Sequence, residues 1–86
     1  MFFCESCGCE KKMALLDGYI FGDREMEGVM FEVDSYGNCL GVHDKDMEAS
    51  IKKQYNWEYW KKRCEETAKT YDVFECPDCK DDIYVD

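Results

Sequence analysis

The sequence predicts a small α+β domain that combines a small antiparallel sheet with one long helix. Three observations predict this class. Every second residue from Val29 to Val33 is a strand-forming apolar residue, no proline or glycine occurs between Lys45 and Glu75, and a C-x-x-C pair lies near each end of the 86-residue sequence. Alternation is typical of half-buried strands, and an uninterrupted stretch without breakers favours a helix. A chain of this length forms a single domain, 1–86.

The two ends of the sequence resemble each other. Residues 2–8 read Phe-Phe-Cys-Glu-Ser-Cys-Gly, and residues 74–80 read Phe-Glu-Cys-Pro-Asp-Cys-Lys. Each segment begins with an aromatic residue, has two cysteines three positions apart and continues with polar residues. This order is typical of a strand, a tight turn and a return strand. The sequence therefore predicts two β-knuckles, over residues 2–16 and 73–86.

A hairpin is predicted over residues 18–43. Residues 18–22 form a short apolar run bounded by glycines, and residues 23–27 are an acidic connection. Val29, Phe31 and Val33 give the period-2 pattern of a strand, and residues 35–38 supply the turn. Leu40 and Val42 are then expected on one face of the return strand.

A continuous helix is predicted over residues 46–69, with Asp44 or Asp46 at its first turn and cations near its end. Its apolar residues fall in two opposite stripes, since one turn takes about 3.6 residues. The first stripe is expected to be core and consists of Trp57, Trp60, Cys64, Ala68 and Tyr71. A helix on a small sheet needs one apolar face, so the second stripe is either wrapped by loops or a partner-binding surface. We predict the latter, for Met47, Ile51, Tyr55 and Tyr59.

The paired C-x-x-C motifs predict a tetrahedral metal site with the ligands Cys4, Cys7, Cys76 and Cys79. The sequence begins without a basic segment and apolar core of the secretory type, and its seven cysteines are an odd number. Both features favour a cytoplasmic location (a host cytoplasm for a viral protein), where paired thiols bind metal more often than they form disulfides. Zn²⁺ is the expected metal, with iron as the alternative.

The paired turns resemble the knuckles of the zinc-ribbon class. They are also similar to the two metal-binding loops of rubredoxins, a likeness that covers residues 2–9 and 74–80. The zinc-ribbon resemblance implies a structural zinc site, and the rubredoxin resemblance implies an Fe(Cys)₄ electron carrier. The sequence departs from rubredoxins in the long separation of its cysteine pairs and in Lys80, which stands where the second loop has glycine.

Three cysteines and the single histidine lie outside the predicted site. Cys9 is an alternative to Cys7 as a ligand, and Cys64 is expected in the core. Cys39 and His43 are too far apart on an extended strand to share one metal ion. His43 is expected where the hairpin ends and the helix begins.

The composition narrows the function class. A net charge of −9 repels nucleic-acid phosphates, and no apolar run is long enough to cross a membrane. The favoured function is a non-enzymatic, zinc-binding interaction module with a protein partner or a second copy of the chain. An acidic inhibitor or regulator of nucleic-acid-handling machinery, of the phage or mobile-element type, is one such module. The alternatives are the iron electron carrier and a nucleic-acid-binding zinc ribbon that uses the basic, Trp-containing helix.

Overall fold

The computed structural model describes residues 1–85 and confirms the α+β class. Asp86, the last residue of the predicted second knuckle, lies outside the described residues. Within residues 1–85, seven strands form one antiparallel sheet, and three α-helices and a 3₁₀ helix accompany it. The strands are β1 (Phe2–Cys4), β2 (Cys9–Lys11), β3 (Met13–Asp17), β4 (Met30–Asp34), β5 (Cys39–Val42), β6 (Phe74–Glu75) and β7 (Asp82–Val85). The helices are α1 (Tyr19–Gly22), the 3₁₀ helix (Asp23–Met26), α2 (Lys45–Gln54) and α3 (Trp57–Thr70).

The strand order β2-β1-β7-β6-β3-β4-β5 divides the sheet into two parts. The terminal half consists of the hairpins β1–β2 and β6–β7, which pair with each other through Phe2↔Val85 and Phe3↔Tyr84. The central half consists of the consecutive strands β3, β4 and β5. One register pair, Leu15↔Glu75, joins β3 to β6. The two ends of the described chain therefore meet in the terminal half.

The predicted hairpin is present, but it is shorter than residues 18–43. Strands β4 and β5 form it, and Gly37, at φ 88°, provides the left-handed residue that the turn requires. The register shifts between Glu32 and Val33, so that a β-bulge places Leu40 on the surface while Val42 is buried. The expectation that Leu40 and Val42 share a face was wrong, because a bulge breaks the alternation of side chains.

Residues 18–22, expected in a strand, contain the short helix α1 instead. A side chain at Gly22 would meet Met26 Cβ at 2.5 Å and a ring carbon of Trp60 at 3.1 Å, so the glycine allows α1 to approach α3 closely. Phe21 packs edge-on against Phe31, with ring centroids 4.8 Å apart. Short apolar runs fit a strand or a buried helical turn equally well, and here tertiary packing selects the helical turn.

The helix predicted over residues 46–69 is two helices, separated at Tyr55 and Asn56. Asn56 has extended backbone angles, and its side chain accepts a hydrogen bond from the Tyr59 backbone N–H at 3.3 Å. Asparagine is among the strongest N-cap residues, because its side chain satisfies a free N–H of the first turn. At the start of α2, Asp44 accepts hydrogen bonds from the N–H groups of Asp46 and Met47, as predicted for this position.

The core lies between the sheet and the helices. Trp60, Cys64 and Ala68 of α3 are at most 8% exposed, which confirms the first predicted stripe as core for these three residues. Trp57 stacks on Phe31 at a centroid distance of 6.1 Å. Within residues 1–85, no helix has the length and apolar character needed to cross a membrane.

Candidate metal centre

The first knuckle folds around Cys4 and Cys7. Cys4 ends β1, and the chain then turns so that the Gly8 N–H donates to the Cys4 carbonyl at 2.8 Å. Gly8 has φ 71°, a conformation that glycine adopts at little cost. The Cys7 backbone N–H lies 3.4 Å from Cys4 Sγ and donates to it. The turn therefore places both thiols on one side and directs an N–H group towards one of the sulfurs.

The second knuckle repeats this geometry. The Lys80 N–H donates to the Cys76 carbonyl at 3.0 Å, and Lys80 has φ 67°. Lys80 is the structural counterpart of Gly8, and it adopts a left-handed conformation that costs an L-residue roughly 1–2 kcal/mol. Lysine in place of the glycine of the rubredoxin-like pattern therefore adds backbone strain, but the turn still forms.

The two knuckles bring the four predicted cysteines together. Their sulfur atoms all lie within 4.8 Å of one another. Cys4 Sγ is 3.5 Å from Cys79 Sγ, and Cys7 Sγ is 3.8 Å from Cys76 Sγ. Four sulfurs at about 2.3 Å from one ion would be about 3.8 Å apart in a regular tetrahedron. The donor set and these distances therefore fit a tetrahedral thiolate site.

The site is buried on one side and open on the other. Cys4 and Cys76 are fully buried, whereas Cys7 and Cys79 are exposed. Each knuckle thus contributes its first cysteine to the interior and its second to the surface. A metal ion held there would be anchored to the sheet and would lie close to solvent.

The pKa values of Cys7 and Cys76 are shifted in opposite directions. Hydrogen bonding to Cys4, followed by that to Cys79, raises the pKa of Cys7 to about 12. At Cys76, burial raises the pKa, but hydrogen bonds from the backbone N–H groups of Cys79 and Asp78 and from the thiols of Cys4 and Cys79 together lower the pKa to about 7. Of these two thiols, Cys76 therefore loses its proton more readily. Metal binding must displace protons from such a cluster, so we expect the apparent metal affinity to rise with pH.

Two exposed polar contacts connect the knuckles across the site. Ser6 Oγ donates to Asp81 Oδ2, and Lys11 Nζ donates to Asp78 Oδ2, each at 2.5 Å. These partners are 75 and 67 residues apart in the sequence. No local sequence pattern predicts the pairing of these four residues, because nothing in the sequence near each turn indicates which polar side chains of two distant turns will meet.

The remaining cysteines are not members of the four-sulfur cluster, although Cys9 is paired with Cys4 across β1 and β2. Cys9 is exposed on β2 and is not part of the cluster, so Cys7 occupies the position for which Cys9 was the alternative. Cys64 is fully buried in the core, and its hydrogen bond to Cys39 lowers the pKa of the Cys39 thiol. His43 Nδ1 lies 2.9 Å from Glu32 Oε2 and immediately precedes the N-cap of α2.

The residues of the predicted partner-binding stripe do not lie on one helix. Met47 and Ile51 belong to α2, Tyr55 lies in the break, and Tyr59 belongs to α3. Ile51 is only 5% exposed, whereas the other three are 37–49% exposed. The expectation of one continuous stripe was therefore wrong, because α2 ends at Gln54 and a second helix begins after the Asn56 cap. The role of the exposed members in binding stays a prediction.

Comparison of the chain with protein-family models, curated proteins and solved structures yields no match. The clustered cysteines are compatible with a zinc-ribbon-like site.

Proposed function

We propose that the protein is a non-enzymatic interaction module whose fold is cross-linked by a structural Zn²⁺ ion. The observation that carries this proposal is the meeting of four cysteine sulfurs within 4.8 Å at the junction of the two terminal hairpins. Cys4, Cys7, Cys76 and Cys79 would hold the ion. Its chemistry there is that of a cross-link, since a complete shell of four thiolates leaves no open position for water or substrate.

The energetic need for a cross-link supports this role. Residues 8–75 form a long loop between the cysteine pairs, and closing a loop costs conformational entropy. Structural zinc contributes about 10–16 kcal/mol of apparent folding free energy in zinc-finger peptides, compared with a typical domain stability of about 5–15 kcal/mol. An ion at this position would therefore contribute a large part of the stability of the terminal half.

The first experiment determines the metal. Protein purified under reducing conditions, without added chelator, is analysed for metal content and for visible absorption. We expect about one equivalent of zinc and a colourless solution. One equivalent of iron with thiolate-to-iron absorption would instead support the electron carrier, an alternative favoured by the exposure of Cys7 and Cys79. A metal-free protein that folds cooperatively would contradict both.

The acidic surface supports a partner with a basic surface. The chain carries 20 acidic and 11 basic residues, and opposite potentials accelerate encounter and favour correct partners. A basic nucleic-acid-binding protein is such a partner, which agrees with the proposed inhibitor or regulator role. The alternative of direct nucleic-acid binding has less support, because Trp60 is buried and Trp57 packs against the core, so neither ring is free to stack on bases.

The second experiment tests the interaction surface. The metal-loaded chain and a Met47→Ala/Tyr55→Ala variant are compared for self-association by sedimentation and for binding to basic nucleic-acid-binding proteins of its source. A Tyr36→Ala variant is the matched control, since Tyr36 is 84% exposed at the hairpin turn. We expect salt-sensitive binding that the double variant weakens by at least about tenfold, while the control retains it. Equal losses in both variants would contradict the predicted surface.

A further inference from the structure

A cleft between α1, the 3₁₀ helix and α3 contains both arginines of the chain. It has a volume of about 460 Å³ and is lined by Phe21, Gly22, Asp23, Arg24, Glu25, Tyr59, Trp60 and Arg63. Arg24 and Arg63 are the two arginines among the 11 basic residues. None of the lining residues is a ligand of the candidate metal centre, so the cleft is a separate feature.

Both guanidinium groups lack an acidic partner in the described part of the chain. Within residues 1–85, the ion pairs involve lysines and His43, and no Asp or Glu oxygen lies within 4.0 Å of either arginine. The lack of a described carboxylate next to either arginine is unexpected in a chain with 20 acidic residues. Two arginines without carboxylate partners at one cleft present the planar donor arrangement that suits phosphate and carboxylate groups.

Arg63 is fixed in position before any ligand arrives. Its Nη2 donates to the Phe21 carbonyl at 2.5 Å, and its Nη1 donates to the Tyr59 hydroxyl at 3.0 Å. Its guanidinium carbon lies 5.9 Å from the centre of the Tyr59 ring. These contacts use two of the five N–H donors of arginine and leave others for an anion. A side chain that is already ordered loses less entropy on binding.

The other lining residues indicate the rest of the ligand. Tyr59 is exposed and provides the aromatic wall of the cleft, and the buried Trp60 supports it from below, edge to face, with ring centroids 5.0 Å apart. The volume is in the range of small-molecule sites and exceeds what a phosphate ion alone needs. Asp23 and Glu25 are carboxylates that accept hydrogen bonds from hydroxyl or amino groups. A ligand with one anionic group, a planar ring and hydroxyl groups matches all three surfaces.

We propose that the cleft between α1 and α3 binds a small phosphate monoester that carries a planar ring, such as a nucleoside monophosphate. Arg24 and Arg63 bind the phosphate, the aromatic wall contacts the ring, and Asp23 and Glu25 accept hydrogen bonds from hydroxyl groups. The net charge of −9 opposes the approach of any anion, so affinity depends on this local arrangement and decreases as salt competes.

The test is a titration of the isotope-labelled, metal-loaded protein with adenosine monophosphate, inorganic phosphate and adenosine, followed by NMR. The two arginine Nε–Hε signals and the Trp60 indole signal report directly on the cleft. We expect adenosine monophosphate to bind with a Kd of about 1 mM or lower, and the other two probes to bind at least about tenfold more weakly. The absence of shifts up to about 10 mM adenosine monophosphate would overturn the proposal. Phosphate binding as tightly as the nucleotide would overturn the assignment of a ring-bearing ligand.

Matched variants separate specific binding from general charge effects. Arg24 is exposed, and Arg24→Lys keeps the positive charge but removes the planar guanidinium group with its paired N–H donors. We expect this variant to bind the nucleotide about tenfold more weakly. Arg63→Lys is expected to do the same, with its fold checked because Arg63 also contacts the Phe21 carbonyl. Lys62→Gln removes a charge from the same helix outside the cleft and is expected to leave binding nearly unchanged. Equal weakening by Lys62→Gln and Arg24→Lys would contradict a specific site.

Discussion

The terminal and central halves of the sheet are built in different ways. In the central half, β3 and β4 pair over five consecutive register positions, and β5 follows directly along the chain. In the terminal half, β6 has two residues, and the hairpins that pair there come from opposite ends of the described chain. The central half is therefore held by near-neighbour pairing over a helix-covered core, whereas the terminal half must overcome a much larger loss of chain entropy.

The difference supports the proposed structural role of the four clustered cysteines. Apolar burial in the terminal half is provided by a few residues such as Phe2, Phe74 and Ile83, and the rings of Phe2 and Phe74 meet edge-on at 5.3 Å. The exposed Ser6–Asp81 hydrogen bond and the Lys11–Asp78 ion pair add little, since a surface ion pair contributes about 0–1 kcal/mol and a hydrogen bond about 0.5–1.5 kcal/mol. A metal ion between the two knuckles would supply the missing stabilisation. With the proposed ion in place, the same sheet would depend on packing at one end and on coordination at the other.

The largest expected effect is that of losing the metal centre. Cys76→Ser, or chelation of the metal, should remove the cross-link and unfold at least the terminal half, because the loop between the pairs is no longer closed. Hydrogen exchange should show lost protection in β1, β6 and β7. Cys9→Ser is the control, since Cys9 is exposed outside the cluster and should retain metal content and melting temperature. Unchanged protection after complete metal removal would refute the dependence of the terminal half on coordination.

The second effect concerns the central half. Trp60→Ala should lower the free energy of unfolding by about 3–5 kcal/mol, since it leaves a cavity beneath α3. Tyr55→Ala should cost less than about 1 kcal/mol, because Tyr55 is 42% exposed and lies in the helix break. Urea denaturation of the two metal-loaded variants provides the comparison. If Tyr55→Ala destabilised the fold as much as Trp60→Ala, Tyr55 would be part of the core and could not be a free anchor for a partner.

A smaller effect is expected at the break between α2 and α3. Asn56→Ala removes the side chain that accepts from the Tyr59 N–H and should cost about 1 kcal/mol. Asn56→Asp preserves the acceptor and should retain most of the stability. Thermal melts followed by circular dichroism measure both. A stabilising Asn56→Ala would indicate that a continuous helix over residues 46–69 is the preferred state.

The smallest effect compares the two knuckles themselves. Lys80→Gly should raise the stability of the metal-loaded protein by about 1 kcal/mol, because glycine adopts the left-handed conformation with less strain. Gly8→Ala should lower it by a similar amount at the equivalent position. Lys80→Ala is the control that removes the long side chain but keeps Cβ, and it should give no gain. The melting temperatures of the variants are measured by calorimetry. An increase in melting temperature from Lys80→Ala equal to that from Lys80→Gly would exclude backbone strain as the cause.

Local chemistry allowed the sequence to predict much of the site. Two C-x-x-C motifs with similar flanks indicated the four cysteines, since the spacing alone places two thiols on one side of a turn. Alternating residues identified β4, and Asp44 was correctly predicted among the N-cap residues of α2. Trp60, Cys64 and Ala68 were predicted as core because a helix repeats its faces at a fixed period. Each of these signals is confined to neighbouring residues.

Tertiary structure decided the features that depend on distant partners. Residues 18–22 became a helix because Gly22 packs against Trp60, and the bulge that exposes Leu40 is visible only in the pairing of β4 with β5. The cleft of Arg24 and Arg63 likewise requires α1 to lie against α3. By itself, the sequence determined the α+β class, the paired thiol turns and the core face of α3, because local spacing controls them. Only the tertiary structure decided the helix break and which separated residues meet, because those outcomes depend on packing between segments far apart in the chain.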